Sequence, residues 1–191
     1  MGKQTKTPYA LLGLLSLYPM TGYELKSFYD QSLRFFWSES FGQIYPSLKQ
    51  LETEGLVSGK DEEADRGKGR RRYTITDEGR EFLKDWLELP VENGTVRIEL
   101  LLKMFFSHVG DGGIMQRHLR TALAEAEERL GVYKAIEARI SQNPNIQMRT
   151  LHLMTLDYGQ RQNQMIVDWS RDCLKTLEEL ETQPKKKSEK K

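Results

Sequence analysis

Five cationic side chains fall within seven residues of this sequence, Arg66, Lys68, Arg70, Arg71 and Arg72 in the stretch RGKGRRR, with Gly67 and Gly69 between them. Such a run suits the holding of an oxygen-rich anion: each guanidinium offers paired donors to a phosphate, and the glycines let a turning backbone come close to it. Upstream, SESFGQIYPSLK carries Ser40, Gln43, Tyr45, Ser47 and Lys49, short, amide-bearing or cationic groups of the kind that read base edges or hold a nucleic-acid backbone. Both stretches point to recognition rather than bond-making. A basic loop also serves simply to protect a sheet edge, Tyr45 can pack beside Ile44, and Lys49 can be an ordinary exposed helix position; these readings stay open at this level.

Catalytic constellations do not stand out. His108, His118 and His152 lack zinc-like spacing with Cys or carboxylates, and no Gly-rich strand-to-helix phosphate loop is present. Cys173 lies on an apolar stripe, where a structural thiol is expected rather than a nucleophile. The chain is therefore expected not to be an enzyme and to need neither cofactor nor metal.

At 191 residues, 38% hydrophobic and 30% charged, the sequence suits one domain or two small ones with a packed core. A single cysteine forms no internal disulfide, and neither a membrane-length apolar run nor a secretory leader is visible, so a cytoplasmic protein without membrane contact is expected. The tail KKKSEKK carries five Lys and one Glu, net +4, which leaves −3 for the rest of a chain whose total is +1. Any nucleic-acid affinity must be local. The tail itself, residues 184–191, reads as a disordered, solubilising extension.

Several elements must position the two stretches. In TPYALLGLLSLYP, Thr7 is a candidate N-cap, Pro8 a first helical residue and Pro19 a stop. A second helix opens at Thr21, which forms a capping box with Glu24, and a third is expected over residues 40–54, with a second box at Ser40 and Gln43. Ile44, Leu48 and Leu51 give that third helix its core face, Gly55 a left-handed end, and Pro46 an expected kink. LVSGKDE and RRRYTIT then predict a β-hairpin around the Gly-punctuated basic loop. Asp61, Glu62, Glu63 and Asp65 stay on its flank, where they limit unspecific sticking. A helix over residues 77–89 carries Phe82, Leu83, Trp86 and Leu87 and closes at Pro90. Three helices, a hairpin and a helix are the order of a winged helix-turn-helix, whose third helix enters the major groove while the wing reaches phosphates.

Beyond VENGTV the pattern changes. A compact apolar helix containing LLLKMFF is expected over residues 96–109, and Asp111 caps a long helix with Met115, Leu119, Ala122, Ala126, Leu130, Tyr133 and Ile140 along one side. NPN at 143–145 breaks it, and the last helix carries Met148, Leu151, Met154, Tyr158, Met165, Trp169, Cys173, Leu177 and Leu180 as a stripe. Two such helices cannot cover themselves as a hairpin, so a second copy is the natural partner, with Met115, Leu119, Leu130, Tyr133, Met165, Trp169 and Leu177 at the interface. The expected fold is mostly α with a small β-hairpin: a winged helix-turn-helix domain over residues 1–91 and a helical dimerisation domain over 92–183.

GYEL, GQIYPSLKQLETEGLV and RRYTITDEGREFLKDWL resemble the PadR family of winged-helix transcriptional regulators, over residues 7–89. The resemblance implies operator contacts through Ser40, Gln43, Tyr45 and Lys49, phosphate contacts through Lys68, Arg70 and Arg71, and backbone contacts from Tyr23 and Ser38. RGKGRR departs from the Pro-bearing wing tip of many relatives. The resemblance further implies dimerisation through the C-terminal helices and release by a small effector, a phenolic acid in some members, near the junction of the domains. Candidates here are Trp37, Phe105, His152, Tyr158 and Trp169, for which core or dimer packing is the competing role. The expectation is a sequence-specific regulator of double-stranded DNA, a repressor acting as a homodimer on a pseudo-palindromic operator and released by a small aromatic effector. The alternative is a winged-helix module that binds protein or RNA without operator specificity.

Overall fold

Leu11, Leu12, Leu14 and Leu15 leave the first helix too little polar surface to lie outside, and α1 (Thr7–Leu15) is buried in the N-terminal core. The computed structural model describes residues 6–37, 44–62, 70–92, 96–109 and 112–182, and it divides into two compact units, Met1–Asn93 and Gly94–Lys191. The first unit continues with β1 (Met20–Thr21), α2 (Gly22–Gln31), α3 (Ile44–Thr53), β2 (Val57–Glu62), β3 (Arg70–Ile75) and α4 (Asp77–Glu88). β3 is the middle strand of an antiparallel sheet: Met20 and Thr21 pair with Tyr73 and Arg72 on one side, and Val57 to Glu62 pair with Ile75 to Arg70 on the other. Leu25, Ile44, Leu48, Leu51, Val57 and Ile75 close the core around α1. This is the winged helix-turn-helix fold expected.

Local signals set most of the boundaries. Thr21 Oγ1 accepts from the Glu24 amide at 3.3 Å while Glu24 Oε2 accepts from the Thr21 amide at 2.7 Å, which completes the capping box. Gly55 ends α3 with φ +75°, a left-handed backbone that glycine adopts without Cβ strain. Thr76 caps α4 by accepting from the Gly79 amide at 3.0 Å.

Three expectations are corrected by the structure. Thr7 is the first helical residue rather than the cap: Lys6 holds the cap position and makes no side-chain capping bond. The sheet has a third strand, β1, too short to carry a periodic pattern. Pro46 is the third described residue of α3, and the residues before it, on which the expected kink turns, lie outside the described residues. The apolar helix is shorter than residues 96–109: α5 spans Glu99–Phe105 and a separate 3-10 turn spans Ser107–Val109, because Ile98 is extended and begins the helix only at its own C-terminal side. The expected caps Ser40, Gln43 and Asp111, the tail and the wing tip lie outside the described residues.

The second unit pairs α6 (Gly112–Ser141) with α7 (Ile146–Thr182). NPN separates them as expected, and Asn145 Oδ1 accepts from the Met148 amide at 3.0 Å to start α7. The seam between them is asymmetric. α6 contributes the stripe read from the sequence, with Met115, Leu119, Ala126 and Tyr133 buried. α7 contributes Leu156, Asn163, Val167 and Ser170, with Gly159 so close to Tyr133 that a Cβ there would stand 3.1 Å from its ring. Met115, Leu119 and Tyr133 are thus covered within one chain, contrary to their assignment to a dimer face: small α7 residues let the helices approach and bury them. Much of the α7 stripe, Leu151, Met154, Tyr158 and Met165, is exposed on the opposite side. No described helix is long and apolar enough to cross a membrane.

Candidate nucleic-acid interface

Tyr45, Lys49 and Glu52 step by four and three residues and share one face of α3, flanking the buried Ile44, Leu48 and Leu51. Tyr45 is 63% exposed and Lys49 is exposed, while Ser47 is half-buried. The ring of Tyr45 lies against Gly22, the first residue of α2, beside Tyr23, which is 73% exposed. Tyr23, Tyr45 and Lys49 are therefore surface groups around the starts of two helices, not core. Ser38, Ser40, Gln43 and Lys68 lie outside the described residues.

The wing joins this face through Glu52. Arg71 donates to Glu52 Oε1 at 2.6 Å and to Asp61 Oδ1 at 2.7 Å. Glu52 Oε1 also accepts the Gly59 amide at 3.0 Å, so one carboxylate joins α3 to both wing strands. The hydrogen bond from Arg71 holds the Glu52 carboxyl below its ordinary range against the opposing effect of burial, and the two carboxylates together hold Arg71 above its own.

Arg72 is similarly engaged. Its Nε donates to Glu62 at 2.6 Å, and its Nη1 to Glu24 Oε2 and to the Pro19 carbonyl, each at 3.0 Å. Glu24 is held below the usual carboxylate range chiefly by the Thr21 amide, with Arg72 adding to it. Arg70 is exposed and makes no ion pair among the described residues. Arg70, Arg71 and Arg72, together with Lys68, are expected from the sequence to contact DNA alike; among the described residues Arg70 makes no ion pair, whereas Arg71 and Arg72 each face two carboxylates. Glu24 and Glu52 are the site residues that sequence reading missed as wing partners. The only available signal was Glu52 falling one helical turn after Lys49 on the polar face.

Residues 11–85 match the transcriptional regulator PadR-like family, and residues 96–178 match the family described as virulence activator alpha C-term. Residues 11–85 thus form a PadR-like family domain of the kind found in transcriptional regulators. It is 38% identical to the negative transcriptional regulator PadR of Bacillus subtilis over 100 residues, 51% of this chain and 54% of PadR, so that alignment spans about half of the relative's length. Solved PadR-like structures cover far more. The crystal structure of B. subtilis PadR in complex with operator DNA superposes with a TM-score of 0.80 at 26% identity, over 91% of this chain and 99% of PadR. PadR in complex with p-coumaric acid gives a TM-score of 0.73 at 27% identity over the same shares. The Vibrio cholerae virulence activator AphA gives 0.70 at 27% identity, over 91% and 98%.

The effector candidates are scattered. Trp37 packs on the N-terminal core, and its carbonyl accepts a hydrogen bond from the Tyr29 hydroxyl. In the C-terminal unit Phe105 and Tyr158 are exposed, while His152 and Trp169 are half-buried. Burial pushes the His152 imidazole below its ordinary value. A hollow of about 390 Å³ in that unit is lined by Leu102, Lys103, Phe106, Ile114, Met115 and His118, together with Ser107, and by none of these candidates.

Proposed function

We propose that this chain is a homodimeric, sequence-specific DNA-binding regulator whose α3 enters the major groove and whose wing lies along the adjacent phosphates. One observation carries the reading: an exposed Tyr45 and Lys49 share a helix face with Glu52, to which the wing is fastened, within the segment that matches the PadR-like family. Tyr23, Tyr45, Ser47 and Lys49, with Ser38, Ser40 and Gln43, are the proposed contacts on the helix side, and Arg70 and Lys68 on the wing. B. subtilis PadR, similar along nearly its whole length, was solved on operator DNA, which supports the same use here. Two copies related by a two-fold axis present their recognition helices to half-sites ~34–36 Å apart, so the operator is a pseudo-palindrome.

Repression is the proposed mode, in line with the negative regulator PadR. Activation is a second reading, because residues 96–178 match a family described by a virulence activator. A reporter placed behind the selected operator, assayed with and without the protein, decides between them. The proposed effector is a small aromatic acid, since PadR was solved with p-coumaric acid, and Trp37, Phe105, His152, Tyr158 and Trp169 are its candidate contacts. The protein works in the cytoplasm, has no catalytic activity of its own, and needs no cofactor.

Selection of bound duplexes from sheared genomic DNA, followed by affinity measurement across a salt series, tests the proposal. A steep loss of affinity with salt, about 0.9 in the log–log slope per phosphate contact, is expected. A flat slope would overturn it in favour of a protein-binding module.

A further inference from the structure

Arg71 and Arg72 stand in the most basic stretch of the chain, yet each guanidinium faces two carboxylates. Arg71 bridges Glu52 of α3 and Asp61 of β2; Arg72 bridges Glu24 of α2 and Glu62 of β2. Neither helix-borne carboxylate is free to swing away. Glu52 also holds the Gly59 amide and Glu24 the Thr21 amide, so moving either one strands a backbone donor. Residue 59 is built for the arrangement, because a Cβ there would lie 2.5 Å from both Arg71 Nε and Glu52 Oε1. Isolated surface ion pairs are worth little, but a guanidinium that joins two elements through two carboxylates, each with further partners, is a network.

We propose that Arg71 and Arg72 are positioning residues that lock the base of the wing to α3 and to the start of α2, and that phosphate contact among the described wing arginines belongs to Arg70. This rests on the operator-binding reading above. The two roles predict opposite signs for one substitution. If Arg71 were a phosphate ligand held in check by Glu52, Glu52→Gln would liberate a cation, tighten DNA binding and steepen its salt dependence. If Arg71 positions the wing, the same substitution loosens the wing and weakens binding, while the salt slope stays put.

The full-length protein, Arg70→Gln, Arg71→Gln, Glu52→Gln and the Arg71→Gln/Glu52→Gln double variant are titrated across a salt series. The probes are a duplex selected by the wild-type chain from a randomised pool and a random-sequence duplex of equal length. Arg70→Gln should flatten the slope by about 0.9, the value for one phosphate. Arg71→Gln and Glu52→Gln should each weaken the selected duplex by about tenfold with unchanged slope, and the double variant should be no worse than the weaker single, as expected of a coupled pair. Tighter binding by Glu52→Gln, or a slope lost by Arg71→Gln, overturns the assignment.

Amide exchange reads the clamp without DNA. Gly59 and its strand neighbours should exchange several-fold faster in Glu52→Gln and Arg71→Gln, with α6 and α7 unchanged. Should the wild-type chain bind neither duplex, the operator reading fails while exchange still judges the clamp; unaltered wing exchange refutes the clamp itself.

Discussion

Tyr45 lies over Gly22 so closely that a Cβ on that glycine would stand 2.6 Å from Tyr45 Cε1. A side-chain ring yields where a backbone would not, so Gly22→Ala keeps the fold and displaces the tyrosine. If Tyr45 contacts the operator, the displacement should weaken selected-duplex binding by roughly tenfold, within the ~1–3 kcal/mol of a good base contact. Tyr45→Ala should do the same, and combining the two should add little, because both remove one contact. Undiminished affinity of Gly22→Ala in a gel-shift titration would take Tyr45 out of the interface.

Gly79 stands against backbone instead. A Cβ at this position would meet the Leu56 carbonyl oxygen at 2.0 Å and Ile75 Cγ1 at 2.9 Å. Helix propensity favours alanine over glycine by about 1 kcal/mol, but forced overpacking costs about 1–3 kcal/mol, and a carbonyl already accepting from the Thr76 amide at 3.1 Å has little room to retreat. Gly79→Ala should therefore lower the melting temperature. Gly131, in the middle of α6 with nothing within 4 Å of its would-be Cβ, is the opposite case, and Gly131→Ala should raise it. Calorimetry on the pair checks both signs.

The contrast shows what the sequence can carry. Caps, the Gly55 end and the hairpin are local, and Thr21, Gly55 and Thr76 behave as their neighbours dictate. The hidden parts depend on partners distant in the chain. β1 exists only because β3, some fifty positions on, offers it hydrogen bonds at Tyr73 and Arg72. Five cations in RGKGRRR announce charge but not who answers it, since Glu52 is 19 positions from Arg71 and Glu24 is 48 from Arg72. On α7 the apolar stripe was legible but its direction was not. The helix turns its smaller and more polar face, Gly159, Asn163 and Ser170, toward α6, where size rather than hydropathy decides the fit.

His152 supplies a pH dependence. Burial disfavours its charged form, so its folded-state pKa lies below the unfolded value of 6.5. The unfolded chain then binds the proton more readily, and the stability contributed by the neutral imidazole is complete above 6.5 and is lost as pH falls through that value toward the folded pKa. Melting temperature should drop with acidification in this window. His152→Gln should flatten that drop; an identical pH profile in the variant would show that the imidazole is not the group responsible.

Leu151, Met154, Tyr158 and Met165 are each more than half exposed on one side of α7, while Leu156, Val167 and Ser170 on the other side fill the seam with α6. Exposed apolar side chains along one helix face are costly in water, and each such side chain gains about 1.5–3 kcal/mol on full burial. The second copy required by the proposed function is the natural cover, and the proposed interface accordingly takes this outer face, with Met165 and the half-buried Trp169, whereas Leu177, two turns on from Ser170, lies on the seam side with Met115, Leu119 and Tyr133. Two substitutions separated by only two positions distinguish the faces. Met154→Glu should give a folded monomer, with helical circular dichroism retained and sedimentation halved in mass. Leu156→Glu places a charge in the seam between α6 and α7 and should lower the unfolding midpoint sharply. A Met154→Glu protein that still sediments as a dimer would move the interface elsewhere on the chain.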